Sequence, residues 1–449
     1  MKKINKLIIV CLFLFTYVNA KSFYINEPIF NTKVFVQIEG NSLNEPIVLV
    51  HGLGDEASTI WKDTINKFKK DYYVVTFDLP GFGKSEKENK ELTPRMYSLF
   101  IDYLTSLYIK KPFYLIGHSM GGSISLKYTS MFPKKVKKLL LIDAAGILHR
   151  DTYSNFLVNT GVDKFFKIKE LEPITYKITN ILSRITNSIQ ELIPSDLSVV
   201  LKTDDIRNLL FQKNTNSIAA VGLVMEDYSK VVYKIRTPTE ILWGEDDDIA
   251  PLRTGYVLHK IIPNSKLKII ENSKHVPILD SKDIYLRYVD NFLKNTNVIE
   301  KRKSNHFNRK NLLIENQNEV EINGRYKNLK IINSNGIIIS SSYIEELIII
   351  NSNVEIINSN INSENTAIKV IDSTLLITSS DLKANNAINL RNSKLDVAGS
   401  NIYAENYALI SDDINIKNNI ILSLTRITSK FNKNKVFHTK MIFNKKNRL

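Results

Sequence analysis

The chain has 449 residues, 43% of them hydrophobic and 24% charged, which excludes both a wholly disordered chain and a multi-span membrane protein. Its single cysteine, Cys11, excludes a disulfide scaffold. The formal net charge is +15, but residues 1–20, 299–312 and 427–449 carry +3, +4 and +7 of it, so nucleic-acid binding by a compact basic face has the least support.

The first twenty residues form a basic start followed by an apolar run. Three lysines precede residues 7–18, and a run of this length is too short to cross a bilayer of about 30 Å. The segment therefore predicts a secretory signal cleaved after Ala20, with Lys21 as the mature N-terminus. An uncleaved anchor is the alternative. Export predicts a periplasmic, envelope-associated or secreted protein, and the loss of Cys11 with the signal suits an oxidising compartment.

Residues 21–298 alternate short β-branched runs with helical patterns. The runs that predict buried strands are 46–50, 72–77, 113–117, 138–142, 239–243 and 267–270. Each is short and continuously apolar, as are the strands of a parallel sheet covered on both faces. Helical patterns at 93–108, 123–131 and 281–293 complete a doubly wound, mostly parallel α/β sheet. Residues 146–235 interrupt the alternation with mostly helical pattern, which predicts a helical cap over the strand ends.

Repeats follow the first unit. We assign residues 299–319 to a basic linker, 320–426 to the repeats and 427–449 to a basic tail. The segments that superimpose at a period near 21 are 347–367, 368–387, 388–408 and, less closely, 329–346. Asn-Ser and Ser-Asn pairs recur at fixed offsets, with alternating apolar residues between them. The region therefore resembles a short right-handed parallel β-helix, whereas a β-sandwich, the alternative, would not require the same residues at the same offsets.

The sharpest local motif is GHSMGG at residues 117–122, between a predicted strand and a predicted helix. A serine is a weak nucleophile unless its geometry and a neighbouring base activate it. In the pattern G-x-S-x-G, Gly117 and Gly121 allow the sharp turn from strand to helix. The turn lifts the Ser119 hydroxyl to the start of a helix, where backbone N–H groups face developing negative charge. Ser119 is therefore the candidate nucleophile.

Further motifs follow other predicted strands. They are HGLG at 51–54, DLPGFGKS at 78–85, WGEDDDIAP at 243–251 and SKHVP at 273–277. With serine, acid and histidine in that order along the chain, the set resembles the α/β-hydrolase superfamily of lipases, esterases and related enzymes. The resemblance covers about residues 24–297 and does not extend to the repeats.

The resemblance implies a role for each matching residue. Ser119 would be the nucleophile, His275 its general base and Asp247 the acid that orients the histidine. The backbone N–H groups of Leu53 and Met120 would form the oxyanion hole. The implied activity is hydrolysis of a carboxylic ester through an acyl-enzyme intermediate. The substrate would be a small-molecule ester or a lipid ester, and no cofactor would be needed. No metal is expected either, because the repeats lack the calcium-binding pattern of glycines and aspartates.

Two positions leave the assignment open. Asp246 and Asp248 flank Asp247, so the acid could be displaced by one residue, and Lys274 stands where the superfamily usually has glycine. His51 and His118 lie within the motifs but are expected to hold loops rather than to carry protons.

The function also has alternatives. Within the same fold they are a carbon–carbon bond hydrolase or an acyltransferase. Outside it, the alternative is a binding or adhesion protein in which the β-helix and the basic tail contact an envelope surface or a polymer. We expect the β-helix to be a separate unit, so that a chain ending near Glu300 keeps hydrolysing small esters. The opposite possibility is that the coils pack over the cap and shape its entrance.

Overall fold

The computed structural model describes residues 21–147, 201–295 apart from 212, 213, 227, 248 and 251, 305–307, 311–411 and parts of 418–442. The predicted signal, most of the predicted cap (148–200) and most of the basic tail lie outside the described residues. Of the described helices, none is long and apolar enough to cross a membrane.

The N-terminal part is built on one eight-stranded sheet. Its strands are β1 (Lys21–Glu27), β2 (Thr32–Glu39), β3 (Glu45–Val50), β4 (Tyr72–Phe77), β5 (Phe113–His118), β6 (Val136–Ile142), β7 (Thr239–Gly244) and β8 (Ser265–Ile270). Their order across the sheet is β1-β2-β4-β3-β5-β6-β7-β8. Strands β3 to β8 are mutually parallel, and β2 is antiparallel to both of its neighbours, β1 and β4. The six predicted strands and the doubly wound α/β class are confirmed, whereas β1 and β2 were not predicted.

Helices cover the sheet. They are α1 (Lys62–Phe68), α2 (Pro94–Tyr108), α3 (Met120–Met131), α4 (Asp204–Phe211), α5 (Thr215–Met225), α6 (Tyr228–Val232), α7 (Leu252–Ile261), α8 (Pro277–Asp280) and α9 (Lys282–Lys294), with short 3₁₀ turns at Ala57–Trp61 and Pro133–Lys135. Helix α2 starts where expected, because the Thr93 hydroxyl accepts a hydrogen bond from the N–H of Met96 and Pro94 occupies the first turn. Helix α3 starts three residues earlier than predicted.

Apolar side chains are buried on both faces of the sheet. Along β3, Val48 and Val50 belong to one core cluster, whereas Ile47 and Leu49 belong to a second cluster on the opposite face. A strand buried on both sides needs apolar residues at every position, which is why the runs could be recognised in the sequence.

The C-terminal strands form a parallel coil. They are β9 (Asn305–Phe307), β10 (Asn311–Glu315), β11 (Glu321–Ile332), β12 (Ile337–Ser340), β13 (Tyr343–Ile350), β14 (Asn353–Ile357), β15 (Asn360–Ile371), β16 (Thr374–Thr378), β17 (Asp381–Arg391), β18 (Lys394–Ala398), β19 (Asn401–Ser411), β20 (Asn419–Ser423), β21 (Arg426–Ser429), β22 (Lys435–Val436) and β23 (Lys440–Ile442). We call β12, β14, β16, β18, β20 and β23 the first coil sheet, and β10, β13, β15, β17, β19 and β21 the second. Strand β11 pairs with both sheets.

The strand register follows the sequence repeat. Leu347 pairs with Ile368, Ile368 with Ile388 and Ile388 with Leu409 on the second coil sheet. Each superimposed segment therefore begins at the equivalent position of its own coil, and the β-helix-like solenoid is confirmed. The alternating apolar residues point inward and are fully buried in one continuous core. Strands β9 and β10 lie in the segment assigned to the linker, and β21 to β23 continue past residue 426, so the coils extend beyond both predicted limits.

Serines stabilise the corners of the coils. The corner residues Asn351, Asp372 and Asn392 have positive φ of 44°, 49° and 46°, a conformation that Asn and Asp tolerate better than most side chains. The next residue is a buried serine, and the N–H of Ser352 donates to the Ser373 hydroxyl of the following coil at 3.0 Å. The same bond recurs at Ser373, Ser359 and Ser380. These serine ladders explain the recurring Asn-Ser and Ser-Asn pairs, because a buried N–H needs an acceptor.

Candidate active site

Ser119 occupies the turn between β5 and α3. Its backbone angles, φ 53° and ψ −122°, are those of a strained turn that few side chains adopt. A Cβ at Gly121 would collide with the carbonyl oxygen of Val50, and a Cβ at Gly117 would collide with the carbonyl oxygen of Gly121. Both glycines are therefore needed for close backbone approach, and together they raise Ser119 above the carboxyl end of the sheet.

Asp247 and His275 follow the neighbouring strands β7 and β8, and the two side chains form a hydrogen-bonded series with Ser119. The Ser119 hydroxyl donates to His275 Nε2 at 2.9 Å, and His275 Nδ1 donates to Asp247 Oδ2 at 2.8 Å. The other carboxylate oxygen, Asp247 Oδ1, accepts the N–H groups of Ile249 and Ala250, both at 2.8 Å. All three side chains are buried. The structure thus brings together the three residues assigned to catalysis, because the loops after β5, β7 and β8 open at the same sheet edge.

The structure describes two of the residues that left the assignment open, Asp246 and Lys274. Asp247 is the carboxylate that contacts His275, while the N–H of Asp246 donates to the carbonyl of Ser273 at 2.8 Å. Asp248 lies outside the described residues. In the histidine loop the positive φ, 57°, falls at Asn272, and no positive φ occurs at Lys274. A glycine is therefore not required before His275.

The predicted oxyanion loop passes directly beside the nucleophile. A Cβ at Gly52 would lie 2.8 Å from the Cβ of Ser119, so the residue before Leu53 is packed against the nucleophile. Met120 is the first residue of α3, where N–H groups have no partner within the helix. His51 Nδ1 donates to the carbonyl of Gly52 at 2.7 Å and its Nε2 accepts the N–H of Leu79 at 2.9 Å. Both bonds need a neutral imidazole, and burial lowers the pKa of His51 accordingly.

The loop is also anchored from α5. The N–H of Gly54 donates to the side-chain oxygen of Asn216 at 3.1 Å. Asn216 belongs to the segment assigned to the cap, and nothing in the sequence singled it out. The contact ties the loop that carries Leu53 to a helix beyond the sheet.

His118 holds the histidine loop. Its Nε2 donates to the backbone carbonyl of His275 at 2.8 Å, and its ring lies 5.2 Å from the ring of His275. Burial, reinforced by the neighbouring His275, lowers the pKa of His118 to about 3. A ring that stays neutral in this position orients the backbone of His275 without competing for its proton.

Asp143 belongs to the site but lies in none of the sequence motifs. It follows β6 and is fully buried, and its Oδ1 accepts the N–H of Gly244 at 2.8 Å. Burial, followed by the charge of Asp247, raises the pKa of Asp143 well above its ordinary value. Burial of this kind favours the neutral, protonated form of a carboxyl group. Its position at the end of an apolar strand gave no signal beyond that of a strand end.

The arrangement can perform nucleophilic catalysis. A hydroxyl, an imidazole and a carboxylate stand in series, and the N–H groups at the start of α3 lie where negative charge would develop. Among the described residues, no group of three or more His, Cys, Asp or Glu side chains could hold a metal ion.

Several known proteins are similar to this chain. A family profile described as the alpha/beta hydrolase fold matches residues 45–282, slightly more than half of the chain. Lipase 1 of Psychrobacter immobilis is 26% identical over 276 residues, which cover 59% of this chain and 80% of that protein. The pimeloyl-(acyl-carrier protein) methyl ester esterase of Legionella pneumophila (strain Lens) is 24% identical over 265 residues, covering 58% of this chain and 99% of that protein.

A solved structure is similar as well. The esterase from Exiguobacterium antarcticum has 22% identity and a TM-score of 0.46, with 61% of this chain and 100% of that chain covered.

Proposed function

Because the chain belongs to the alpha/beta hydrolase fold family, we propose that it is a serine hydrolase that cleaves a carboxylic ester through an acyl-enzyme intermediate. The observation that carries the proposal is the unbroken hydrogen-bond series from Ser119 through His275 to Asp247. The names of the relatives, a lipase and a methyl ester esterase, support an ester as the substrate.

The reaction follows from the positions of these groups. His275 Nε2 accepts the proton of Ser119 as the hydroxyl oxygen attacks the ester carbonyl carbon. The negative charge that forms on the carbonyl oxygen is stabilised by the N–H groups of Leu53 and Met120. When the tetrahedral intermediate collapses, His275 protonates the departing alcohol and leaves an acyl group on Ser119. Water, deprotonated by His275, then releases the acid and restores the serine.

Asp247 acts without changing its protonation. Because its Oδ1 is held by two backbone N–H groups, Oδ2 is fixed against His275 Nδ1. This contact keeps the Nδ1–H tautomer, so that Nε2 is free to accept the proton of Ser119, and it stabilises the imidazolium that forms.

The test is hydrolysis of a chain-length series of p-nitrophenyl esters by the purified mature protein. The wild-type protein should hydrolyse at least one ester and be labelled by a fluorophosphonate, whereas Ser119→Ala should do neither and should melt like wild type. If a folded Ser119→Ala variant retains more than a few per cent of the rate, Ser119 is not the nucleophile.

We also propose that the protein acts after export. The basic start and the apolar run of residues 7–18 support a signal cleaved after Ala20. The basic tail supports contact with an anionic envelope surface at that destination.

A further inference from the structure

A buried arginine joins the two parts of the chain. Arg253, the second residue of α7, has a side chain that is 2% exposed and faces Asp396 of β18, which is 6% exposed. Its Nη1 donates to Asp396 Oδ1 at 2.6 Å and its Nη2 to the carbonyl of Ile377 at 2.9 Å. Its Nε donates to the hydroxyl of Thr378. Among the described residues, every acceptor of this guanidinium belongs to β16 or β18 of the first coil sheet.

The contact continues along α7. Lys260, near the end of the helix, pairs with Glu321 of β11 at 3.4 Å. The register places Glu321 and Asp396 in one row across the sheet, separated by four strand steps. Four steps measure about 19 Å, and the seven residues from Arg253 to Lys260 rise about 10 Å. Two long side chains cover the difference, so α7 runs along the stacking direction of the coils.

The same helix follows the loop that carries the acid. Asp247 Oδ1 accepts the N–H of Ala250, whose carbonyl accepts Trp243 Nε1–H at 2.7 Å. Arg253 lies three residues further on. The loop is therefore fixed at one end by β7 and at the other by the start of α7, and the start of α7 is held by the β-helix.

We propose that the β-helix is a structural part of the active site, and that Arg253 is a positioning residue through which it holds the Asp247 loop against His275. The proposal rests on the proposed function, because it assumes that Asp247 is the acid of the triad. Arg253 touches neither the substrate nor the reacting atoms, and it acts through Ala250, whose N–H is bound by Asp247.

The chemistry of the contact favours a fixed position over a loose one. A buried charge is tolerated only when it is paired and its hydrogen bonds are made, so removal of either partner leaves the other uncompensated. The planar guanidinium has its acceptors on two adjacent strands, which fixes its orientation as well as its position. The start of α7 can therefore shift only if it breaks several hydrogen bonds at once. We therefore expect a chain that ends near Glu300 to lose activity. The sequence alone had predicted that such a chain keeps its activity.

The test compares variants of the full-length mature chain. Arg253→Met and Asp396→Asn should lower kcat for a p-nitrophenyl ester about 10- to 100-fold, because a misplacement of about 1 Å in the catalytic groups costs on this order. KM should stay within about threefold, since the positions that bind substrate are unchanged. Arg253→Lys keeps the charge but loses the fork of donors, and it should fall between wild type and Arg253→Met.

The matched control is Glu321→Gln. It removes a second ion pair that the described residues form between α7 and the coils, two turns further from the acid loop, and keeps the oxygen that accepts a hydrogen bond from the hydroxyl of Ser340. Its kcat should equal that of wild type. If Glu321→Gln loses as much kcat as Arg253→Met, general docking and not the acid loop is responsible, and the positioning role is wrong.

The remaining outcomes are also decisive. Wild-type kcat in folded Arg253→Met and Asp396→Asn would overturn the proposal. If Arg253→Met does not fold, Asp396→Asn and Arg253→Lys are judged by the same comparison with Glu321→Gln. Failure of the proposed function would be seen separately, as wild-type protein that neither hydrolyses esters nor reacts with a fluorophosphonate at Ser119.

Discussion

Replacement of Asp247 by asparagine tests the electrostatic core of the mechanism. Asp247 Oδ2 lies 2.8 Å from His275 Nδ1, and at an effective dielectric constant of about 20 a pair of unit charges at this distance is worth about 6 kcal/mol. That energy corresponds to roughly 10⁴-fold in rate. The amide oxygen introduced by Asp247→Asn would keep the N–H groups of Ile249 and Ala250, so the new NH₂ group would face His275. The proton of the neutral His275 ring would then lie on Nε2 and not on Nδ1. With Nε2 already protonated, His275 could not accept the proton of Ser119.

The assay is the steady-state rate with the best p-nitrophenyl ester, at a pH where wild type is fully active. Asp247→Asn should lose about 10⁴-fold in kcat, with an unchanged melting temperature because its backbone contacts persist. Asp246→Asn and Asp248→Asn are the matched controls and should stay within a few fold of wild type. Equal losses at all three positions, or a loss below about 10-fold at Asp247, would refute the assignment of the acid.

Three further outcomes are expected. Asp143→Asn should keep most of the activity, because burial raises the pKa of Asp143 and favours a neutral side chain, which asparagine resembles. The folded state of wild type holds this proton more tightly than the unfolded state does, so the stabilising contribution is lost as pH rises through the folded-state pKa. The denaturation midpoint of Asp143→Asn relative to wild type should therefore rise as the pH increases above the ordinary pKa of an aspartate, and a relative midpoint that does not change with pH would contradict the raised pKa of Asp143. Ser373→Ala removes the acceptor of the buried N–H of Ser352 and should cost about 1–3 kcal/mol in urea unfolding of the full chain; no loss would show that the serine ladders do not stabilise the coils. Mass spectrometry of the exported protein should find Lys21 at the N-terminus, whereas Met1 on envelope-bound protein would favour an anchor.

The hydrogen-bonded series of Ser119, His275 and Asp247 could be predicted because each of its members lies in a short motif beside a strand that is apolar throughout. The roles of Ser119, Asp247 and His275 came from the resemblance to the α/β-hydrolase superfamily, and their proximity could be expected because parallel strands deliver their carboxyl ends to one edge. Strand β1 was missed for the opposite reason. On β1 the exposed side chains outnumber the buried ones, so no continuous apolar run marks it.

The contact between Arg253 and Asp396 could not be predicted from the sequence. The two residues are 143 positions apart, and neither lies in a motif or a periodic pattern that would mark it as buried. An arginine early in a helix and an aspartate in a polar repeat are ordinarily solvated. Their burial follows from how the helix meets the coils, which depends on tertiary packing and not on local sequence. The serine ladders are the contrary case, because each coil repeats the same bond and the repetition is visible as periodic Asn-Ser and Ser-Asn pairs.

The helix α7 sets a length constraint on evolution of the solenoid. Its two ends contact Glu321 of β11 and Asp396 of β18, which lie in one row across the strands. A duplication that inserts one coil between them would therefore move the contacts apart by about 4.8 Å, one strand spacing. The helix could not satisfy both. Coils added after β19 meet no such requirement, because each coil needs only its neighbour. Gain and loss of repeats among descendants of this protein should therefore be concentrated at the C-terminal end, with the number of coils beside α7 held constant.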